Sequence, residues 1–164
     1  MKTEPHRILA INPGSRYIGF AAFRGAELLD WGLRVNTAKT PRGRLRVAGR
    51  IIRDAIERFQ PDTLALKCLD SSRTSLSLDR FADSIHAIAH LRKLKVRQYS
   101  ITELKRLLCS EAKGNKRQLA AMVTAAYPVL NPDLQHEMAN RNPYYLRMFE
   151  AVALGIACYR QREE

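Results

Sequence analysis

Three strand-like segments open the chain, and their short connections constrain the fold more than any other feature. Arg7–Asn12 is apolar, Tyr17–Arg24 is rich in aromatic and aliphatic residues, and Glu27–Val35 has a mixed alternation of apolar and polar residues. The Asn-Pro-Gly-Ser turn at 12–15 and the glycine Gly25 separate them. Connections this short join antiparallel neighbours, whereas parallel strands need long crossovers. The opening therefore predicts an antiparallel meander of three strands.

The remainder of the chain alternates between helical and strand-like patterns. Apolar residues recur at helical spacing from Leu45 to Phe59, and Pro61 ends that helix. Ser100 and Glu103 have the spacing of a capping box at the start of a helix. The other predicted elements are strands at 63–68 and 95–99, helices at 75–94, 117–127 and 144–160, a linker at 36–43 and a loop at 128–143.

This order of elements predicts an α/β fold with a mixed five-stranded sheet flanked by helices. A length of 164 residues fits one domain with a sizeable core. We therefore expect residues 1–164 to form a single domain whose core spans about 7–160.

The charge balance points to a polyanionic partner. Lysine and arginine total 28 against 16 acidic residues, which gives a formal charge of +12. Nucleic acid is the simplest partner for such a chain, although a solvated basic surface without a ligand would give the same count. No apolar stretch is long enough to cross a membrane, and the N-terminus lacks the apolar segment of a secretory signal.

The three cysteines Cys68, Cys109 and Cys158 are widely spaced. None forms a CxxC pair, so neither a zinc site nor a disulfide framework is indicated. We expect all three to be small core residues in a reducing, cytoplasmic protein, associated with the nucleoid if the protein is bacterial.

Five segments carry a resemblance to one family. They lie at 8–20 (ILAINPGSRYIGF), 59–67 (FQPDTLALK), 99–105 (YSITELK), 114–119 (GNKRQL) and 150–157 (EAVALGIA). In order and spacing they resemble the RuvC family of Holliday-junction resolvases, over about residues 7–160. The resemblance implies an RNase H-like fold. It also implies a magnesium-dependent nuclease site at four positions that are mostly carboxylates in the family.

The chain departs from that pattern at its chemical positions. The resemblance assigns the four positions to Asn12, Lys67, Arg147 and Glu150, of which only Glu150 is acidic. Four acids would carry a charge of −4, whereas these residues carry +1. Repulsion between unit charges at about 4 Å is on the order of a few kcal/mol at an effective dielectric constant of about 20. We therefore expect no catalytic residue, no metal and no cofactor, because magnesium binding is lost.

A self-neutralised site is the physical alternative to a metal site. Either Lys67 or Arg147 can pair with Glu150, and the amide of Asn12 can hydrogen-bond to either partner. Simpler interpretations also stay open: Asn12 as a turn residue, Lys67 as a solvated surface lysine, and Glu150 as an acid in the first turn of its helix.

Loops that face DNA in the family correspond here to segments rich in lysine and arginine. The nucleic-acid-binding candidates are Arg16, Arg42, Arg44, Lys67, Arg73, Lys105, Lys113, Lys116 and Arg117. Phosphate contacts by these side chains would give affinity that depends on salt and little on sequence.

The sequence therefore predicts a nucleic-acid-binding protein that lacks metal-dependent nuclease activity, with branched or duplex DNA as its partner. The resemblance implies a homodimer formed partly through the helix at 76–94. Two alternatives remain at this point. One is an active structure-specific endonuclease that uses Glu150 with relocated acids such as Asp70, Asp79 or Asp83. The other is a protein-interaction scaffold that kept the fold without the ligand.

Overall fold

A mixed five-stranded sheet forms the centre of the computed structural model, which describes residues 4–68, 76–109, 116–139 and 145–163. Strands β1 (Arg7–Asn12), β2 (Tyr17–Arg24) and β3 (Glu27–Val35) form the predicted antiparallel meander. Strands β4 (Thr63–Lys67) and β5 (Lys95–Tyr99) extend it in parallel to β1, in the order β3-β2-β1-β4-β5. The predicted fold class is confirmed.

Helices cover both faces of this sheet. They are α1 (Pro41–Phe59), α2 (Leu76–Leu91), α3 (Ile101–Leu108), α4 (Lys116–Ala126), α5 (Asn131–Ala139) and α6 (Leu146–Glu163), with a short 3-10 turn at Pro128–Leu130. None of the helices in the described ranges is long and apolar enough to cross a bilayer.

Alternation along β1 divides the core into two layers. Ile8 and Ala10 pack with α6, α3 and α4, whereas Leu9 and Ile11 pack with α1 and α2. Successive side chains of a strand point to opposite faces, so a central strand covered on both sides must be apolar throughout. This explains why β1 reads as a continuous apolar run.

The start of α1 and the whole of α5 differ from the prediction, and each of these helices has a proline in its first turn. Helix α1 begins at Pro41, inside the predicted linker, because the Thr40 side chain accepts a hydrogen bond from the Gly43 amide at 3.0 Å. Helix α5 lies inside the predicted loop, with Pro132 in its first turn. Proline lacks an amide proton, which the first turn of a helix does not need, so it is tolerated there as well as in a loop.

The cysteines differ in their surroundings. Cys158 is buried as expected, but Cys109 is only half-buried and Cys68 is exposed at the end of β4. Burial raises the pKa of the Cys158 thiol, which keeps it protonated and unreactive. The expectation of three core cysteines holds for Cys158 alone.

Two helix glycines give a test of how closely α6 packs on the sheet. A Cβ atom at Gly155 of α6 would overlap the ring of the buried Phe23, whereas one at Gly49 of α1 would meet only the flexible end of Arg53. We expect Gly155→Ala to lower the free energy of unfolding by about 1–3 kcal/mol through overpacking.

The matched variant Gly49→Ala should raise that free energy by about 0.5–1 kcal/mol, because alanine favours a helix interior. Urea unfolding followed by circular dichroism measures both. Equal effects of the two substitutions would contradict the close packing of α6 on Phe23.

Candidate functional site

The candidate site lies where β1 and β4 end side by side. The two strands are parallel neighbours, and Ile11 is paired with Leu66. The next residues, Asn12 and Lys67, therefore emerge at the same edge of the sheet. The first turns of α6 pack against this edge and bring Glu150 to it.

Gly19 allows α6 to approach the sheet at this point. It is paired with Asn12 across the β1–β2 ladder. A Cβ atom at Gly19 would overlap the backbone carbonyl of Arg147, at the start of α6. Backbone atoms cannot rotate away as a side chain can, so only glycine permits this contact.

Three side chains converge at the edge. The Lys67 ammonium lies 2.6 Å from Glu150 Oε2, and Asn12 Nδ2 donates to the same oxygen at 2.8 Å. Asn12 Nδ2 also donates to the Arg147 carbonyl oxygen at 3.1 Å. Asn12 and Glu150 are only 1% and 2% exposed. The Glu150 carboxylate is thus buried, ion-paired and hydrogen-bonded, which is what a buried charge requires.

An amide suits position 12 better than a carboxylate in this arrangement. Its Nδ2 donates to two acceptors, a carboxylate oxygen and a backbone carbonyl. Aspartate would place an acceptor against both of them. Asn12 Oδ1 is buried without a hydrogen-bond partner among the described residues, and the two donations from Nδ2 explain why the amide keeps this orientation.

The donor set does not suit magnesium. Mg²⁺ requires oxygen ligands in near-octahedral geometry. Here Glu150 is the one carboxylate of the cluster, and the Lys67 ammonium already contacts one of its oxygens. A divalent cation would therefore have to displace a cation that is held at 2.6 Å by the same carboxylate.

The third assigned position, Arg147, takes part mainly through its backbone. Its carbonyl accepts the Asn12 amide, and its side chain is exposed and extends beside Gly14 of the β1–β2 turn. The structure thus brings all four assigned positions together, with Lys67 in the ion pair with Glu150.

Of the acids considered for a relocated site, the two that the structure describes are not gathered there. Asp79 and Asp83 lie exposed on α2, and Asp70 is outside the described residues. Within the described ranges, no group of three His, Cys, Asp or Glu residues is close enough to hold a metal ion.

The basic candidates do not form one patch. Arg42 and Arg44 lie on α1, whereas Lys105 and Arg117 lie on α3 and α4, which pack on the opposite face of the sheet. Arg16 is exposed in the β1–β2 turn, with its guanidinium 5.6 Å from the Tyr17 ring centroid. Arg73, Lys113 and the side chain of Lys116 fall outside the described residues.

One basic residue was missed by sequence reasoning. Arg80 of α2 lines the same cavity as Arg42 and Arg44 of α1. The periodicity of α2 marks Arg80 as a surface residue but does not show which helix end lies next to it. Only the packing of α1 against α2 brings these cations together.

Comparison with known proteins places these features in one family. Residues 8–139 match the family model described as "Crossover junction endodeoxyribonuclease RuvC". The RuvC of Moorella thermoacetica is 29% identical over 126 residues, which cover 72% of this chain and 75% of that protein.

The fold is similar to solved structures of Thermus thermophilus RuvC. The structure of that protein gives a TM-score of 0.72 at 17% identity, covering 96% of each chain. A second structure, of T. thermophilus RuvC in complex with a Holliday junction substrate, gives a TM-score of 0.71 at 16% identity, again covering 96% of each chain.

The ion pair can be tested by a double-mutant cycle. We expect Lys67→Met to lower the free energy of unfolding by about 3–5 kcal/mol, because it leaves the Glu150 carboxylate buried without its cation. In the double variant Lys67→Met/Glu150→Gln no charge is stranded, so its cost should be well below the sum of the two single costs.

Urea unfolding of the wild type, the two single variants and the double variant measures the coupling. An exposed lysine on the same chain, replaced in Lys39→Met, provides the control and should change stability by less than about 0.5 kcal/mol. Additive costs at Lys67 and Glu150 would show that the pair does not stabilise the site.

Proposed function

This chain belongs to the family of the crossover junction endodeoxyribonuclease RuvC, and we propose that it binds nucleic acid, branched or duplex DNA, without metal-dependent cleavage. One observation carries the proposal: the Lys67 ammonium contacts the Glu150 carboxylate at 2.6 Å, where the family pattern implies a metal site. The protein is then a binding member of an endonuclease family.

Three features support binding to DNA. The formal charge of +12 favours a polyanion. Arg16 is exposed in the β1–β2 turn, and the exposed Arg42 and Arg44 line a cavity together with Gly14 and Ser15 of that turn. The similar RuvC of T. thermophilus has been solved with a Holliday junction substrate. Lysine and arginine bind phosphate through charge-assisted hydrogen bonds, so these groups would hold a DNA strand across the carboxyl edge of the sheet.

The site chemistry supports binding without cutting. Hydrolysis of a phosphodiester needs an activated water and stabilisation of the leaving oxygen, which two metal ions provide in many nucleases. The cluster of Asn12, Lys67 and Glu150 has one carboxylate, and two donors already occupy its Oε2. The three side chains together carry no net charge, and the cluster offers no free base to activate water.

A homodimer would adapt this fold to a branched substrate. Two copies related by a two-fold axis present two equivalent edges to the arms of a junction. The family resemblance implies a contact between two copies partly through α2, where Leu91 is 81% exposed and accessible to a second copy.

Binding and cleavage can be separated in one assay. A labelled four-way junction and a duplex of matched sequence are titrated with protein in Mg²⁺ and in Mn²⁺, and the products are resolved on a denaturing gel. We expect the junction to be bound more tightly than the duplex, with affinity that falls as salt rises, and no cleavage in either metal.

The Glu150→Gln variant is the control for nuclease activity. Metal-dependent cutting that the wild type performs and Glu150→Gln does not would overturn the proposal in favour of an active endonuclease. Binding no stronger than that of an unrelated protein of equal charge would favour the scaffold alternative.

Restoring the family pattern gives a second test. We expect the double variant Asn12→Asp/Lys67→Glu to bind Mn²⁺, because three carboxylates then face one another and a divalent cation relieves their repulsion. Millimolar Mn²⁺ should raise the melting temperature of this variant by several degrees and leave that of the wild type unchanged.

The single variant Asn12→Asp is the matched control. It retains the Lys67 ammonium beside Glu150 and should not respond to Mn²⁺. A double variant that unfolds without metal and refolds with it also supports the proposal. Equal responses of the wild type and the double variant to Mn²⁺ would contradict it.

A further inference from the structure

A cavity of about 820 Å³ opens between the starts of α1 and α2, beside the β1–β2 turn. Gly14 and Ser15 of the turn line one side of it. Through Gly14 the cavity adjoins the Arg147 side chain and hence the edge that holds Asn12. Its volume is in the range of small-molecule sites, about 300–1,000 Å³.

Four cations line this cavity. They are Lys39, Arg42, Arg44 and Arg80, all exposed. No acidic residue is among the described residues of the lining. None of the four forms an ion pair within the described part of the chain, although Arg44 Nε donates to the Ala38 carbonyl at 3.0 Å. Like charges held this close repel one another, and a bound anion would relieve that repulsion.

The floor of the cavity is apolar. Leu45 and Ala48 of α1 and Phe81 of α2 form it, and Ala48 and Phe81 are 3% and 4% exposed. A ligand that fits both parts carries an anionic group at one end and a flat, weakly polar group at the other. Arginine forks match phosphate geometry, and nucleobases bind to apolar and aromatic surfaces.

We propose that this cavity receives a single nucleotide, with its phosphate on the four cations and its base against the apolar floor. The source of that nucleotide rests on the proposed function: it is a nucleotide displaced from bound DNA near the branch. A stacked base cannot reach the floor, so it must leave the helix, at a cost of a few kcal/mol that is smallest for an unpaired base.

The test uses a four-way junction that carries 2-aminopurine beside the branch point. This base analogue becomes more fluorescent when it leaves the stack. We expect the wild-type protein to raise its fluorescence severalfold on binding. Arg42→Ala should weaken junction binding by about fivefold or more and reduce the salt dependence by about one phosphate contact.

Arg50→Ala is the matched control. Arg50 is exposed on α1 and does not line the cavity, and its removal changes the net charge by the same amount. It should leave the fluorescence rise intact and weaken binding by less than about twofold. Equal effects of Arg42→Ala and Arg50→Ala would overturn the proposal.

A second variant blocks the floor without changing any charge. Leu45 is half-buried in the lining, and Leu45→Trp would fill the space intended for the base. We expect this variant to lose the fluorescence rise, with a melting temperature within a few degrees of the wild type. A full rise with Leu45→Trp would overturn the placement of the base.

Binding of free deoxyadenosine monophosphate tests the nucleotide cavity independently of DNA binding. It is measured by calorimetry on the wild type and on Arg42→Ala. Binding that Arg42→Ala weakens supports a nucleotide cavity, even if the junction is not bound and the proposed function fails. Junction binding with neither a fluorescence rise nor mononucleotide binding overturns the inference and leaves the proposed function standing. Failure to bind either ligand overturns both.

Discussion

The ion pair between Lys67 and Glu150 ties the last helix to the centre of the sheet. Lys67 ends a central strand, and Glu150 lies near the start of α6, which packs across β2, β1 and β4. A carboxylate that is 2% exposed cannot be left without a partner. Glu150 is buried at this edge, its carboxylate is paired with the Lys67 ammonium, and the Asn12 amide donates a further hydrogen bond to the same oxygen. The sheet edge, the position of α6 and the chemistry of the site therefore depend on one contact.

Much of the fold could be predicted from the sequence, because the residues that end the strands and begin the helices lie next to those elements in the chain. Strands β1 to β3 have their predicted bounds, because turn residues interrupt the apolar segments and fix where each strand ends. The capping box at Ser100 and Glu103 is present as predicted. Helix α5 was missed because Pro132 is equally compatible with a loop and with a first helical turn, and no local pattern separates the two.

Local sequence patterns could not predict which side chains meet in the candidate site. The sequence allowed either Lys67 or Arg147 as the partner of Glu150. In the folded chain Lys67 forms the pair, while the Arg147 side chain lies beside Gly14. Likewise, Arg80 is 38 residues from Arg42 along the chain, and the two share a cavity only because α1 and α2 lie side by side. Residues far apart in sequence meet through tertiary contacts, which periodicity cannot reveal.

Lys67 and the cations of the cavity differ in exposure and in whether they have an acidic partner among the described residues. Lys67 has 14% of its side chain exposed and pairs with a buried acid, so its charge is used within the fold. The cations of the cavity are exposed and have no acidic partner among the described residues, so their charge is directed outward. A charge that a buried partner neutralises adds little to the external field, whereas unpaired surface charges attract a polyanion. Under the proposed function, ligand affinity would depend mainly on the exposed group, and the absence of metal-dependent cleavage would depend on the buried pair. The two properties can therefore change independently in this fold.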